Sequence, residues 1–159
     1  PDLYRRFGLP GHEGVDIRAP MGTKVYAAAD GTVVRVDEYE GSPSTQPYGI
    51  QIRIQHEGGY QTLYANLQEA LVLVGDQVTA GQLIALADST GNSTGSHLHF
   101  GLKKEGATAA GETDFPFDTI DPTPFLFFPD ARMYVSDDAG VTWSDSPLDI
   151  ANAHVTAFR

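Results

Sequence analysis

The sequence predicts an all-β fold. Ile50 to His56 alternates apolar and polar residues, the period of a half-buried strand. Short apolar runs recur along the chain, divided by turn signals at Asp30-Gly31, Gly58-Gly59 and Gly75-Asp76. No window of about a dozen residues repeats at the helical period, so little helix is expected.

Taken in order, Pro1 to Pro10 is an irregular lead-in, with Tyr4 and Phe7 packing on the domain edge and Arg5-Arg6 solvated. Gly11 to Ile17 reads as extended: His12 and Asp16 share one face, and Val15 and Ile17 take the other. Pro20 stops this run in the turn Ala19 to Gly22. Strands follow at Lys24 to Ala28 and Thr32 to Asp37. Tyr39 to Tyr48, with Gly41, Pro43 and Pro47, is a mobile loop. Ile50 to His56 and Tyr60 to Leu67 form a hairpin across Gly58-Gly59, with three isoleucines inward and the polar residues outward. Leu71 to Val74 turns at Gly75-Asp76 and leads into a buried strand, Leu83 to Ala87. The polar loop Ser89 to Ser96 delivers His97, and the strand runs on through Leu102. Lys103 to Phe117, rich in Gly, Ala and Thr, is an exposed excursion.

Composition narrows the function. A chain of 159 residues is long enough for one domain with its own core. The net charge of −11, from 10 basic and 21 acidic residues, argues against binding nucleic acid phosphates or anionic lipid. No apolar run approaches the roughly 20 residues of a membrane span. Cys is absent, which removes disulfides and thiolate metal sites and suits an exported protein. The chain begins at Pro1 rather than Met, so its lack of an export leader decides nothing.

Three of the five histidines fall in two short stretches, Gly11 to Asp16 and Ser96 to Phe100. In a strand, His97 and His99 project together while Leu98 and Phe100 enter the core. Two imidazoles and a carboxylate on converging strands suit a divalent transition metal. Zinc accepts such ligands, and a catalytic site keeps three of them plus a water. His12, Asp16, His97 and His99 compete for three positions, and the fourth is left to act as a base. A lone histidine is more often structural, and His56 and His154 are read so.

The surrounding residues add a resemblance. Gly11-His12-Glu13-Gly14-Val15-Asp16-Ile17-Arg18-Ala19-Pro20, Val25-Tyr26-Ala27-Ala28, Gly81-Gln82-Leu83-Ile84 and Ser89 through Phe100 occur in the order found in LytM/lysostaphin-type metallopeptidases, peptidase family M23. The resemblance spans about residues 8 to 126. It implies a lysostaphin-like antiparallel β-sheet sandwich with long groove-forming loops. It also implies a zinc-dependent endopeptidase that cuts peptide cross-links of bacterial peptidoglycan outside the cytoplasm. Carried over by position, His12, Asp16 and His99 are the zinc ligands and His97 is a catalytic histidine. Tyr48 and Tyr64 are expected to meet substrate or its oxyanion. The family's Tyr-Ala-His-Leu motif stands here as Tyr64-Ala65-Asn66-Leu67, and an amide cannot carry a proton as that histidine can. Gly101 replaces an acidic residue common after the phenylalanine.

The metallopeptidase-like domain is therefore expected over residues 1–126, and 127–159 is an extension. In it, Ser136-Asp137-Asp138-Ala139-Gly140-Val141-Thr142-Trp143 resembles an Asp-box, so Met133 to Ser136 and Val141 to Ser144 are expected to form a hairpin packed on the domain. Asn66 leaves a second function open: a catalytically weak relative that binds peptidoglycan or activates a partner hydrolase. Such relatives usually lose metal ligands, which this chain keeps. A third reading, a phosphoryl carrier on a related β fold, is disfavoured by Asp16. Long-range charge would not draw so acidic a domain to an anionic wall, so affinity must come from a groove or from further domains.

Overall fold

Alternation becomes strand wherever the residues between two turns reach a neighbour. The computed structural model describes residues 12–106 and 118–126, and the backbone of 134–135 and 144–145. Its strands are β1 (Gly14–Arg18), β2 (Lys24–Tyr26), β3 (Gly31–Asp37), β4 (Ile50–Gln55), β5 (Tyr60–Ala70), β6 (Gln77–Val78), β7 (Leu83–Ala87), β8 (His97–Lys104) and β9 (Thr119–Ile120), with β10 (Tyr134–Val135) and β11 (Ser144–Asp145) in the tail. All pairings among them are antiparallel, and the described residues include no α-helix. The fold is the expected all-β, antiparallel one.

The nine strands before the tail form one sheet in the order β1-β8-β5-β4-β3-β6, with β7 joining β2 to β5 and β9 pairing β8. Strand β5 branches it. Tyr60 through Ala65 pair β8, whereas Leu67, Glu69 and Ala70 pair β7. Asn66 stands at the change of partner with φ of 59°, in the left-handed region that Asn tolerates better than most residues. The β7–β8 connection springs from the resulting split, closed by a bridge between Asp88 and His97.

The two faces near this split are occupied differently. Val15, Tyr64 and Phe100 join Val33, Ile52, Ile54 and Ile84 in the main core. Each large side chain buried there contributes about 1.5–3 kcal/mol. Leu63 and Ala65 face the other way and pack with Tyr48. This second face, across β1, β8 and β5, carries the histidines.

Three local findings differ from the alternation pattern. Gln51 and Arg53 on β4 are buried, not solvent-facing. They form a polar ladder in which Arg53 Nε donates to Gln51 Oε1 at 3.0 Å and Gln51 Nε2 donates to Asp37 at 2.8 Å, so burial leaves them satisfied. The loop before β4, expected to be mobile, is laced by Gln46. Its Oε1 accepts the Glu40 and Gly41 amides, and its Nε2 reaches the Glu38 carbonyl at 2.8 Å. Strand β8 runs to Lys104, two residues into the expected excursion. The rest of that excursion, residues 107–117, lies outside the described residues, as do the lead-in, the Asp-box turn with Asp138 and Trp143, and His154. In the tail hairpin, Tyr134 pairs Asp145 and Val135 pairs Ser144.

Candidate metal centre

Cross-strand register assembles the site. Strand β1 pairs β8 with Asp16 opposite His99 and Arg18 opposite His97, and β5 brings Ala65 opposite His99 on the other edge. Directly opposed residues have Cβ atoms about 4.5–5.5 Å apart, so Asp16 and His99 meet without distortion. His12 precedes β1 and folds back over its face. The contacts that result form a triangle. His99 Nδ1 is 2.9 Å from Asp16 Oδ1, His12 Nε2 is 3.2 Å from that oxygen, and the two nitrogens are 3.1 Å apart. His97 Nε2 lies 3.5 Å from the same oxygen, at the triangle's edge.

Three lone-pair atoms this close face a common point. Ligands of a tetrahedral zinc at about 2.0–2.2 Å stand about 3.3–3.6 Å apart, so the triangle needs only a few tenths of an ångström to admit one. The donor set, two imidazole nitrogens and one carboxylate oxygen, is zinc's own. Asp16 is 1% exposed, and its Oδ2 has no protein partner, an orphan that calls for an ion or a proton. The residues therefore fit the metal.

Electrostatics follow from burial against charge. Burial would raise the Asp16 carboxyl, but hydrogen bonds and charge from His12 and His99 outweigh it and hold it well below the usual range. Burial would lower the His99 imidazole, and the hydrogen bonds and charges of Asp16 and Glu13 instead push it up to about 10. A metal taking Nδ1 must displace that proton, so metal uptake releases protons. His97 goes the other way: burial lowers it, and the nearby Asp16 charge only partly offsets this. His97 Nδ1 donates to the Gly95 carbonyl at 2.8 Å. A carbonyl can only accept, so the neutral ring keeps its lone pair on Nε2, the nitrogen facing the triangle.

Of the other expected residues, Asn66 is buried and tied to the β7–β8 connection. Its Nδ2 donates to the Thr90 carbonyl at 2.6 Å, and its backbone N–H donates to Tyr48 at 2.8 Å. Thr90 also binds the Leu67 carbonyl through Oγ1 at 2.7 Å and accepts the Ile50 amide, which fastens the loop before β8 to β4 and β5. Gly49 and Gly91 make this possible: a Cβ on Gly91 would lie 2.4 Å from the Gly49 nitrogen. Tyr48 stands beside the triangle, its ring 5.8 Å from that of His99. Tyr64 corrects the expectation. It is 1% exposed, stacks edge-on to Phe100 at 5.4 Å, and accepts the Ala28 N–H at 2.8 Å. It is a core residue facing away from the cleft. His56 is structural as expected, its Nδ1 2.8 Å from the Asp30 carbonyl and its Nε2 2.8 Å from Thr62 Oγ1.

Sequence reading assigned nothing to Glu13. Its side chain is 7% exposed, accepts the Tyr48 hydroxyl at 2.6 Å and faces His99 Nε2 at 3.5 Å. Strand parity gives no warning of it, because β1 begins only at Gly14. The one available signal is an acidic residue next to a ligand-type histidine.

Comparison with known proteins finds relatives of this chain. A sequence profile described as Peptidase family M23 matches residues 10–110. The peptidoglycan DD-endopeptidase ShyA of Vibrio cholerae is 41% identical over 96 residues, covering 60% of this chain and 21% of that protein. The murein hydrolase activator EnvC of Escherichia coli is 40% identical over 114 residues, 72% of this chain and 23% of that protein. Among solved structures, the catalytic domain of the antimicrobial peptidase lysostaphin from Staphylococcus simulans superposes with a TM-score of 0.60 at 33% identity, covering 72% of this chain and 77% of that one. The chain thus spans about a fifth of these two curated relatives' length.

Proposed function

The chain belongs to peptidase family M23, and we propose that it is a zinc-dependent endopeptidase domain acting on peptide cross-links of bacterial peptidoglycan. The observation that carries this reading is the triangle of His12, Asp16 and His99 with His97 Nε2 3.5 Å from its carboxylate oxygen. Zinc bound there would supply Lewis-acid polarisation of the scissile carbonyl and a more acidic water. His97 Nε2 accepts the proton of the attacking water and returns it to the leaving amine, while Nδ1–H stays on Gly95 to hold the ring. Asn66 takes the place of the family's second histidine. Thr90 engages one of its two amide hydrogens, and the other is available to a developing oxyanion. Such a substrate puts the domain outside the cytoplasm, with wall affinity coming from a groove or from other domains.

A second reading is a binding or hydrolase-activating domain. It is favoured by Asn66, whose amide is engaged in holding Thr90, and by the similarity to an activator. One experiment separates the two: metal content of the purified protein, followed by release of muropeptides from purified wall. Zinc near one per chain with zinc-dependent release supports the enzyme. Zinc uptake without release on several wall types supports the second reading, and no uptake removes the first.

A further inference from the structure

We propose that Glu13 and Tyr48 are positioning residues for the metal ligand His99, an inference that rests on the metal-site reading above. Glu13 sits on the far side of the His99 ring from the triangle. Nδ1 turns toward Asp16 at 2.9 Å, while Nε2 makes no hydrogen bond and faces Glu13 Oε1 at 3.5 Å, close enough to become its acceptor after a small shift. An imidazole that ligates through Nδ1 must carry its hydrogen on Nε2, and a carboxylate is the strongest acceptor for it. Glu13 thereby fixes the tautomer and the ring plane that aim Nδ1 at the common point. Outer partners of this kind are worth roughly 10–100-fold in metal affinity.

Tyr48 completes the relay. Its hydroxyl donates to Glu13 Oε1 at 2.6 Å, and its ring packs with Leu63 and Ala65 and lies against His99. The Tyr48 backbone is itself anchored, since its carbonyl accepts the Asn66 amide. A buried carboxylate whose second oxygen, Oε2, has no protein partner costs free energy unless it has work to do. Orienting His99 is work that the surrounding geometry provides. Tyr48 thus acts on the metal site through Glu13, and its hydroxyl is committed there, not to substrate.

The test is zinc affinity measured against a competing chelator, together with thermal unfolding of the zinc-free chain. Glu13→Gln keeps the shape and removes the charge. It should weaken zinc roughly 10–100-fold while the zinc-free chain melts as before. Tyr48→Phe should weaken zinc roughly two- to tenfold, the worth of one hydrogen bond. Added to Glu13→Gln, it should cost nothing more, because its effect runs through that carboxylate. Zinc binding by Glu13→Gln within twofold of the native chain overturns the inference, and so do losses that simply add. If Glu13→Gln does not fold, Tyr48→Phe decides: a loss in the stated range supports the relay, and native affinity overturns it. A native chain that takes up no zinc overturns the metal-site reading, whereas native uptake with unchanged variants overturns only this one.

Discussion

At position 66 the chain needs a residue that tolerates φ of 59° and bonds the Thr90 carbonyl through its side chain. Asn meets both needs, and His, also enriched in that region, meets the first. Asn66→His should therefore fold, at a cost of about 1 kcal/mol if the Thr90 bond is lost. It should raise muropeptide release without changing zinc content. A cationic donor is about twice as strong as a neutral one, and a single oxyanion donor is worth roughly 10²–10³ in turnover. His97→Ala should abolish release and leave zinc bound. Native inactivity that Asn66→His does not relieve would favour the activator reading. Tyr64→Phe tests the other reassigned residue. It strands the Ala28 N–H and should cost about 1–3 kcal/mol in urea unfolding while leaving zinc affinity unchanged. Burial pushes the Tyr64 phenol up to about 12. Above about pH 10 the unfolded chain releases this proton and the native chain keeps it, so stability falls as pH rises. In Tyr64→Phe that part of the alkaline slope should vanish, and an unchanged slope would contradict the buried placement.

Strand β5 does two jobs because its pairing changes midway. Its first half holds β8, and with it the histidines, against the sheet, and its second half holds β7. The β4–β5 hairpin that supports it is pinned at its turn by His56, between Asp30 on one side and Thr62 on β5. Burial lowers the His56 imidazole, and its contact with Asp30 only partly offsets that. The native chain thus holds His56 neutral where the unfolded chain would protonate it. Below the unfolded value of about 6.5 the unfolded state binds more protons, so this residue's contribution is full above that pH and is lost as pH falls. Burial lowers His97 as well, so the measurement is a difference. Denaturant midpoints of the native chain and of His56→Gln, taken from pH 7.5 down to 5, should converge as pH falls. A constant gap would mean His56 is not held neutral in the fold.

For the molecule as a whole, the metal site ties the first described residues to β8, far along the chain. His12 and Asp16 come from its first residues and His99 from β8, so a bound ion would cross-link native structure that the unfolded chain lacks. Zinc at about 100 times its dissociation constant should add about 2.7 kcal/mol, a rise of several degrees in melting temperature that excess chelator reverses. A melting temperature indifferent to zinc and chelator would count against the site. The net charge of −11 sets a second expectation. Since a bacterial wall is largely anionic, added salt should screen repulsion and improve retention on purified wall. Retention that falls with salt would reveal an attractive patch that the overall charge conceals.

Sequence alone determined the strand series and singled out His12, Asp16, His97 and His99 as candidates for a metal site, because short-range periodicity groups them, whereas the division of those four into ligands and base came from the family resemblance. Residues two apart in a strand share a face, so His97 with His99 could be paired on paper, and so could the apolar set of Val15, Ile17, Leu98 and Phe100. At β5, strict parity would put Tyr64 and Asn66 on one face. The left-handed residue at 66 breaks that parity, so Tyr64 stays in the core while the Asn66 amide turns to Thr90. Glu13 was beyond any local rule. Its role depends on Tyr48, 35 positions away in sequence, arriving over the same face. That arrival is fixed by Gly49 against Gly91 and by the Thr90 clamp, contacts between loops whose spacing in sequence carries no period. Tertiary structure decided these placements because they depend on how separate loops pack together, whereas the candidate ligands stand at positions that extended alternation in two stretches puts on one face.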